Sequence, residues 1–274
     1  MARLYKYSGA GNDFVVLDGR TEDVSAFRTA ARIAELCDRR SGFAASDGRV
    51  GADGLMILAA GGDGLDFRME YYNADGSGGM MCGNGGRCIV AFADERGIRP
   101  QDGCVFRFAA ADGEHTGEIL ARAGACKTVR LRMIDVQTFH PVLDGWFFDT
   151  GTRHFVRFVP DAEAVDVETE GRAARLDPVF APVGANANFV SVDADGTLRV
   201  RTFEKGVEAE TLACGTGITA SALAAYLVGI PGSTRDGAVH YDIRARTGRL
   251  AVEFRPGEES FTDVYLTGPA EEIR

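Results

Sequence analysis

The sequence is poor in features that mark several common classes of protein. Its 30 Lys and Arg are outnumbered by 40 Asp and Glu, and they form no cluster. The resulting net charge of −10 disfavours a nucleic-acid partner or an anionic membrane surface. No metal site is expected, because the histidines have no metal-ligand spacing; they are His115, His140, His154 and His240.

Disulfide, export and membrane signals are also scarce. The six cysteines include no Cys-x-x-Cys pair, and the segment MARLYKYSGAGNDF lacks the apolar stretch of a secretory signal. This usage fits a reducing compartment, so we expect a cytoplasmic protein. The charge-free stretch from Leu212 to Thr234 is interrupted by glycine and proline. Its helical part, about 217–228, is too short to cross a bilayer of roughly 30 Å at about 1.5 Å per residue.

Short runs of alternating apolar and polar residues dominate the chain and predict many β-strands. Turns containing Asp-Gly or Gly-Gly join most of them, which favours antiparallel pairing. Three helices are expected: an amphipathic one over about 25–40, and two largely apolar ones over about 85–96 and 217–228. The pattern predicts an α/β fold of the α+β type, with mainly antiparallel curved sheets around central helices.

An internal repeat predicts two similar halves. The segment from Val50 to Cys82 resembles the segment from Val183 to Cys214, and the two cysteines are 132 residues apart. A glycine-rich hairpin near Gly9 recurs near Gly151. We expect pseudo-symmetric halves formed by residues 1–122, joined by 263–274, and by residues 123–262. Cys82 and Cys214 would then face each other across a cleft.

Cys82 in MCGNGGRC and Cys214 in ACGTGITA are framed alike, since each precedes a Gly-x-Gly and a predicted helix. A thiol at a helix N-terminus lies near backbone N–H groups and the positive end of the helix dipole, which favour the thiolate. Two such thiols could invert an amino acid at its α-carbon, one removing the proton and the other returning it. This chemistry needs neither a metal nor an organic cofactor. The remaining cysteines are interpreted as small buried hydrophobes.

The chain resembles the diaminopimelate epimerase family over essentially its full length, and five stretches carry the resemblance. They are SGAGNDF from Ser8, YYNADGSGGMMCGNGGRC from Tyr71, TGTRHFV from Thr150, NANFV from Asn186 and FEKGVEAETLACGTG from Phe203. The resemblance implies a cofactor-independent isomerase, without pyridoxal phosphate, that interconverts LL- and meso-diaminopimelate in lysine and peptidoglycan biosynthesis.

The same resemblance implies roles for individual residues. Cys82 and Cys214 fall on the catalytic base and acid, whose roles exchange with the direction of reaction, and His154 falls on a supporting residue. The implied substrate-binding residues are Asn12, Asn73, Gly83, Asn84, Thr152, Asn186, Glu204, Lys205, Gly215 and Thr216. For Asn73, within NADG, a turn-forming role is an equal alternative.

Three residues depart from the usual family pattern at the far end of the substrate. Lys205 replaces an Arg that grips the distal carboxylate, while Thr152 and Arg153 replace Asn and Pro. An ammonium cannot supply the planar two-point contact of a guanidinium. We hypothesise that Arg153 or Lys205 still neutralises the distal carboxylate.

These departures leave other functions open. One alternative is a cofactor-independent racemase of another amino acid on the same fold. A thiol-disulfide enzyme or redox sensor that pairs Cys82 with Cys214, and a binding protein that uses the same cleft, are further alternatives. If the protein acts on an amino acid, its expected partner is that small molecule, and no nucleic acid or membrane is expected. The protein could also form a homodimer.

Overall fold

The computed structural model describes residues 2–62, 64–79 and 81–273, which form two compact units. One unit contains Met1–Leu131 and Gly268–Arg274, and the other contains Arg132–Thr267. The expected boundary after residue 122 is wrong by nine positions, because residues 123–131 complete a hairpin in the first unit. Residues 263–267 belong to the second unit, where they pair with the preceding strand.

The first unit contains strands from both ends of its sequence and two α-helices. Its elements are β1 (Tyr5–Gly9), β2 (Asn12–Asp18), a 3₁₀ turn (Ser25–Phe27), α1 (Ala30–Cys37), β3 (Gly54–Ala60), β4 (Phe67–Asn73), α2 (Gly83–Glu95), β5 (Val105–Ala110), β6 (Gly113–Ala123) and β7 (Cys126–Arg132).

The second unit also contains two α-helices among many short strands. Its elements are β8 (Phe139–Val142), β9 (Gly145–Asp149), β10 (Arg153–Phe158), α3 (Val167–Arg175), β11 (Asn186–Val192), β12 (Leu198–Glu204), β13 (Ala209–Thr211), α4 (Gly215–Leu227), β14 (Ser233–Arg235), β15 (Ala238–Arg244), β16 (Arg249–Pro256) and β17 (Phe261–Glu272), with 3₁₀ turns at Ala162–Ala164 and Pro178–Phe180. The last residues of β17 pair with β1 and β7 of the first unit's sheet.

The two units share one order of strand pairing, as the repeat predicted. In the first, β1 and β2 are antiparallel, β2 and β3 parallel, β3 and β4 antiparallel, and β4 and β5 parallel. In the second, the corresponding pairs are β9 with β10, β10 with β11, β11 with β12, and β12 with β15. The parallel pairs were not anticipated from the turn signals. They require crossover connections, which contain α1, α2, α3 and α4 in turn.

Helices α2 and α4 are the central helices of their units. Residues 83–93 of α2 are buried, and the helix packs against β1, β2, β3 and β6. Helix α4 packs against β9, β10, β11, β12 and β16. Both predicted apolar helices are therefore confirmed, each beginning two residues earlier than expected. Among the described residues, no helix is long and apolar enough to span a membrane.

Helix α1 is shorter than the predicted segment over 25–40. The Thr29 side chain accepts a hydrogen bond from the Arg32 backbone and caps the start of the helix. At its end, the Asp38 carboxylate accepts the backbone N–H groups of Arg40 and Ser41, each at 2.8 Å. These side-chain bonds compete with the helical ones and stop the helix at Cys37.

Helix α3 was not predicted, although its charges are arranged as helix ends prefer. The Asp166 side chain accepts from the Thr169 backbone, and the two glutamates of the first turn oppose two arginines in the last turn. Its mainly polar sequence hid it from a search for apolar periodicity.

Candidate active site

Cys82 is the N-cap residue of α2. Its backbone is extended, with φ −106° and ψ 131°, and its carbonyl accepts the Gly86 N–H at 2.7 Å. The side chain is half-buried. The N–H groups of a first helical turn point along the axis away from the helix, so an anionic group near Cys82 would meet the positive end of α2.

Beside Cys82, four side chains form a directional chain of hydrogen bonds. Fully buried Arg87 donates to Asn84 Oδ1 at 2.7 Å, which leaves the Asn84 amide nitrogen to donate to Asn12 Oδ1 at 2.6 Å. Asn12 in turn donates from Nδ2 to Asp53 Oδ2 at 2.9 Å. Because a guanidinium only donates hydrogen bonds, Arg87 fixes which way the two amides point.

Asp53 is anchored within a group of charged side chains. Arg39 contacts the carboxylates of both Asp13 and Asp53, and buried Lys6 lies 2.8 Å from Asp13. Burial alone would raise the pKa of Asp13, but the bonds from Arg39 and Lys6 outweigh it and hold that pKa below its usual value. The anchored Asp53 therefore presents a fixed acceptor to Asn12.

Asn73 lies at the end of β4 in an exposed turn. Its side-chain nitrogen donates to Ser77 Oγ at 3.0 Å, and its backbone N–H donates to the Ser77 carbonyl at 2.9 Å. These contacts give Asn73 the turn-forming role that the sequence left open as an alternative to substrate binding.

Cys214 is the N-cap residue of α4, as Cys82 is of α2. Its φ and ψ are −109° and 110°, and its carbonyl accepts the Ile218 N–H at 2.9 Å. The residue is buried, and Cys214 Sγ lies 3.4 Å from Thr216 Oγ1. Gly83 and Gly215, the first residues of the two helices, are both buried.

Buried His154 connects Thr216 to the strands beneath it. His154 Nε2 lies 2.9 Å from the hydroxyls of Thr152 and Thr216, and Nδ1 lies 3.1 Å from Asn188 Nδ2. Burial lowers the pKa of His154 to about 3, and the charge of Lys205 acts in the same direction. The imidazole is therefore neutral at any pH near neutrality.

Asn186 joins the strands on either side of it. Its Nδ2 donates to the Arg153 carbonyl at 2.9 Å, and its Oδ1 accepts the Lys205 backbone N–H at 2.8 Å. Glu204, half-buried, is the last residue of β12 and lies directly before Lys205. Asn186 thus fixes the backbone that presents these two charged side chains.

The Arg153 side chain is held within the second unit. It donates to the Phe180 carbonyl at 3.2 Å and lies over the Phe147 ring at 5.2 Å from its centroid. These contacts occupy the guanidinium in a packing role.

The clusters around Cys82 and Cys214 are built alike. In each, the residue two positions after the cysteine bonds to a second side chain. That side chain lies at the start of the strand that follows a glycine-containing turn. Asn84 and Asn12 are 2.6 Å apart in the first unit, and Thr216 and His154 are 2.9 Å apart in the second. The internal repeat therefore extends to the hydrogen bonds beside the two thiols.

Comparison with known proteins identifies the family. The model of the family described as diaminopimelate epimerase matches residues 4–121 and 146–273. The chain is 38% identical over 269 residues to the diaminopimelate epimerase of Flavobacterium psychrophilum, covering 98% of this chain and 97% of that protein. It is 39% identical over 272 residues to that of Chlorobaculum tepidum, covering 97% of each. The chain belongs to the diaminopimelate epimerase family.

Solved structures show the same fold at low sequence identity. A PhzF-family phenazine biosynthesis protein from Bacillus anthracis has a TM-score of 0.72 at 14% identity, covering 99% of this chain and 96% of its own. A probable proline racemase from Agrobacterium radiobacter has a TM-score of 0.64 at 18% identity, covering 98% and 90%. The architecture of the diaminopimelate epimerase family is thus shared with these proteins.

Within the matched segments, the structure adds residues that the sequence analysis did not single out. Arg87 lies three positions after Asn84, the spacing that brings two side chains to one helix face. Asn188 lies two positions after Asn186 and shares its face of β11. The sequence shows both spacings. It does not show the hydrogen-bond partners that give these residues a role, because those partners lie on other elements.

Proposed function

We propose that this protein is a diaminopimelate epimerase, an isomerase that interconverts LL- and meso-diaminopimelate. The observation that carries the proposal is the repeated construction around Cys82 and Cys214, two thiols on helix N-caps in a chain of this family. A single reactive thiol would not require the same N-cap position twice. A reaction that inverts a carbon centre needs a proton removed from one face and delivered to the other.

In the proposed reaction, one cysteine acts as thiolate and the other as thiol. The thiolate takes the α-proton, so that the Cα–H bond breaks and an S–H bond forms. The other thiol gives its proton to the opposite face of the carbanion and becomes the thiolate. In the reverse direction the two roles exchange.

A helix N-terminal turn, such as that of α2 or that of α4, would hold the α-carboxylate while negative charge develops. Backbone N–H groups at a helix start favour an anion, and Gly83 and Gly215 place no side chain there. Asn12, Asn84 and Thr216 add neutral donors and acceptors that suit the ammonium and carboxylate of an amino acid. No metal or organic cofactor enters this scheme.

For the distal carboxylate we propose Lys205 rather than Arg153. The Arg153 guanidinium already bonds to Phe180 and packs on Phe147. Lys205 follows β12 directly, its backbone is fixed by Asn186, and its charge acts on buried His154. A cation in this position can neutralise a carboxylate as a point charge.

We propose that this activity serves the synthesis of lysine and peptidoglycan. We propose a cytoplasmic enzyme whose partner is its small amino-acid substrate, with no nucleic-acid or membrane partner. A homodimer is compatible with this proposal.

A panel of amino acids incubated with the enzyme in deuterated water tests the function. Nuclear magnetic resonance of the α-proton should show exchange with diaminopimelate and none with histidine or proline. Exchange of another amino acid without diaminopimelate would overturn the proposal and identify a racemase. Activity should require a reductant, and turnover of a disulfide substrate would instead favour the redox reading.

The cysteine variants provide the matched controls. Cys82→Ser and Cys214→Ser should each lose diaminopimelate turnover, whereas Cys104→Ser, at an exposed position, should retain it. Wild-type turnover by either active-site variant would contradict the assignment of the two thiols.

A further inference from the structure

The side chain of Asn188 has only one orientation that satisfies its surroundings. Its Nδ2 lies 2.9 Å from the Phe155 carbonyl, which can only accept a hydrogen bond. Its Oδ1 accepts from the hydroxyl of Thr202 at 2.9 Å, and Thr202 lies directly opposite Asn188 in the pairing of β11 and β12. A flipped amide would put two acceptors together, so the Asn188 amide nitrogen must face both Phe155 and His154.

This orientation fixes the tautomer of His154. The second proton on Asn188 Nδ2 points at His154 Nδ1, 3.1 Å away, so Nδ1 must be the acceptor. The ring is neutral, since burial lowers the pKa of His154 to about 3. Its single proton therefore resides on Nε2, facing the hydroxyls of Thr152 and Thr216. The Asn186 amide nitrogen is farther from Nε2, at 3.4 Å, and already donates to the Arg153 carbonyl at 2.9 Å, so it does not need Nε2 as an acceptor.

The chain of donors then continues to the sulfur. A hydroxyl that accepts the Nε2 proton keeps its own hydrogen to donate. Thr216 Oγ1 lies 3.4 Å from Cys214 Sγ, and Thr152 Oγ1 lies 3.1 Å from Thr216 Oγ1. Whether His154 donates to Thr216 directly or to Thr152, a Thr152 hydroxyl that donates to Thr216 leaves the Thr216 hydrogen for the sulfur.

We propose that Asn188 is a positioning residue that holds His154 as its Nε2–H tautomer, so that the Thr216 hydroxyl donates a hydrogen bond to the Cys214 thiolate. The inference deepens the proposed function and rests on it, because it concerns the group that exchanges the substrate proton. Each donor in the series Thr202, Asn188, His154 and Thr216 points towards Cys214. The charged side chain that acts on the imidazole is Lys205.

The tautomer can be measured in the unmodified enzyme. With ¹⁵N-labelled histidine, the His154 signals, assigned by comparison with His154→Gln, should show protonated Nε2 and unprotonated Nδ1 from pH 5 to 8. A proton on Nδ1 would overturn the proposal. This measurement does not depend on the folding of any Asn188 variant.

The effect on the thiol is measured by the rate at which iodoacetamide alkylates Cys214 at pH 7, followed by peptide mass spectrometry with Cys82 as internal reference. Asn188→Asp offers an acceptor to His154 Nδ1 and should reverse the tautomer. Thr216→Val removes the last donor, whereas Thr216→Ser retains it. The first two variants should slow alkylation of Cys214 about tenfold, as expected for losing one hydrogen bond to a charged sulfur, and Thr216→Ser should restore the rate.

A double variant separates positioning from general damage. If Asn188 acts through Thr216, Asn188→Asp should have no further effect in the Thr216→Val protein. Effects that multiply to about a hundredfold would overturn the proposal. Ser221→Ala removes a buried hydroxyl that donates to the Gly217 carbonyl within α4, and should leave the alkylation rate unchanged.

These readouts need no substrate. If the tautomer and the coupling are as described but the wild-type enzyme does not exchange the α-proton of diaminopimelate, the proposed function fails and the hydrogen-bond assignment stands. If diaminopimelate is epimerised while His154 has Nδ1 protonated, the positioning role of Asn188 fails alone.

Discussion

Lys205 and Arg153 are the two cations that the sequence offered for the distal carboxylate, and their surroundings differ. Lys205→Ala should raise the KM for diaminopimelate at least tenfold with a smaller effect on kcat, because the interaction is made equally in the bound substrate and in the transition state. Steady-state kinetics with diaminopimelate measures both parameters.

Arg153→Ala is the matched control for Lys205→Ala. Its guanidinium packs on Phe147 and bonds to Phe180, so we expect a loss of stability with KM nearly unchanged. If Arg153→Ala raises KM and Lys205→Ala does not, the assignment is reversed.

His154 should make the stability of the protein depend on pH. Its pKa is lowered to about 3 by burial, whereas an imidazole in an unfolded chain titrates near 6.5. Between these values the unfolded state binds a proton that the folded state does not. The neutral imidazole therefore stabilises the folded state fully above about pH 6.5. Below this pH, the free energy of unfolding falls by up to about 1.4 kcal/mol per pH unit as the pH drops towards 3.

Urea unfolding at pH 7, 6 and 5 checks this expectation. His154→Gln should flatten the dependence between these pH values, while His140→Gln, at an exposed position on β8, should leave it as in the wild type. Equal slopes for His154→Gln and the wild type would show that the imidazole is not held neutral in the folded protein.

At the scale of elements, α4 approaches the strands beneath it through a glycine. A Cβ added to Gly217 would lie 2.3 Å from Asn188 Oδ1 and 3.1 Å from His154 Cε1. Gly217→Ala should therefore displace the helix start or these two side chains, destabilise the protein by about 1–3 kcal/mol and lower kcat. Thermal unfolding and diaminopimelate turnover measure the two effects.

Gly62→Ala is the corresponding control, since a Cβ at this exposed position has nothing within 4 Å. It should match the wild type in both measurements. Unchanged stability and turnover in Gly217→Ala would contradict the close packing of α4 on β10 and β11.

The sequence predicted elements well where the signal was local. Helices α2 and α4 were predicted from apolar composition and flanking glycines, and both cysteines from their framing at the helix starts. Helix α1 was predicted too long because Asp38 ends it through side-chain hydrogen bonds that periodicity does not reveal. The parallel pairing of β2 with β3 depends on a crossover between distant segments, so turn signals could not predict it.

The candidate site divides in the same way. Asn12, Asn84, His154 and Asn186 were named from the resemblance of short motifs. Arg87 and Asn188 gain their roles from hydrogen bonds to Asn84 and His154, and no sequence pattern specifies which way a buried amide points. The directions of these bonds follow only from the carbonyl and guanidinium groups packed around them.

At the scale of the whole molecule, one pairing order and one arrangement of side chains occur twice in a single chain. This repetition is typical of a duplicated unit that has kept its role at both copies. The two clusters are not identical, since Asn12 and Asn84 in the first unit correspond to His154 and Thr216 in the second. We infer that the two thiols share a task while their protonation is controlled by different neighbours.

The most direct test of a two-cysteine reaction follows hydrogen at the inverted carbon during the first few per cent of turnover. LL-diaminopimelate is incubated with the enzyme in deuterated water, and both the product and the recovered substrate are analysed by mass spectrometry. We expect one deuterium in the meso product and none in the recovered substrate, because one thiol removes the proton and the other supplies a solvent-derived one. Product that retains the original hydrogen would contradict it, since a single base would then serve both faces.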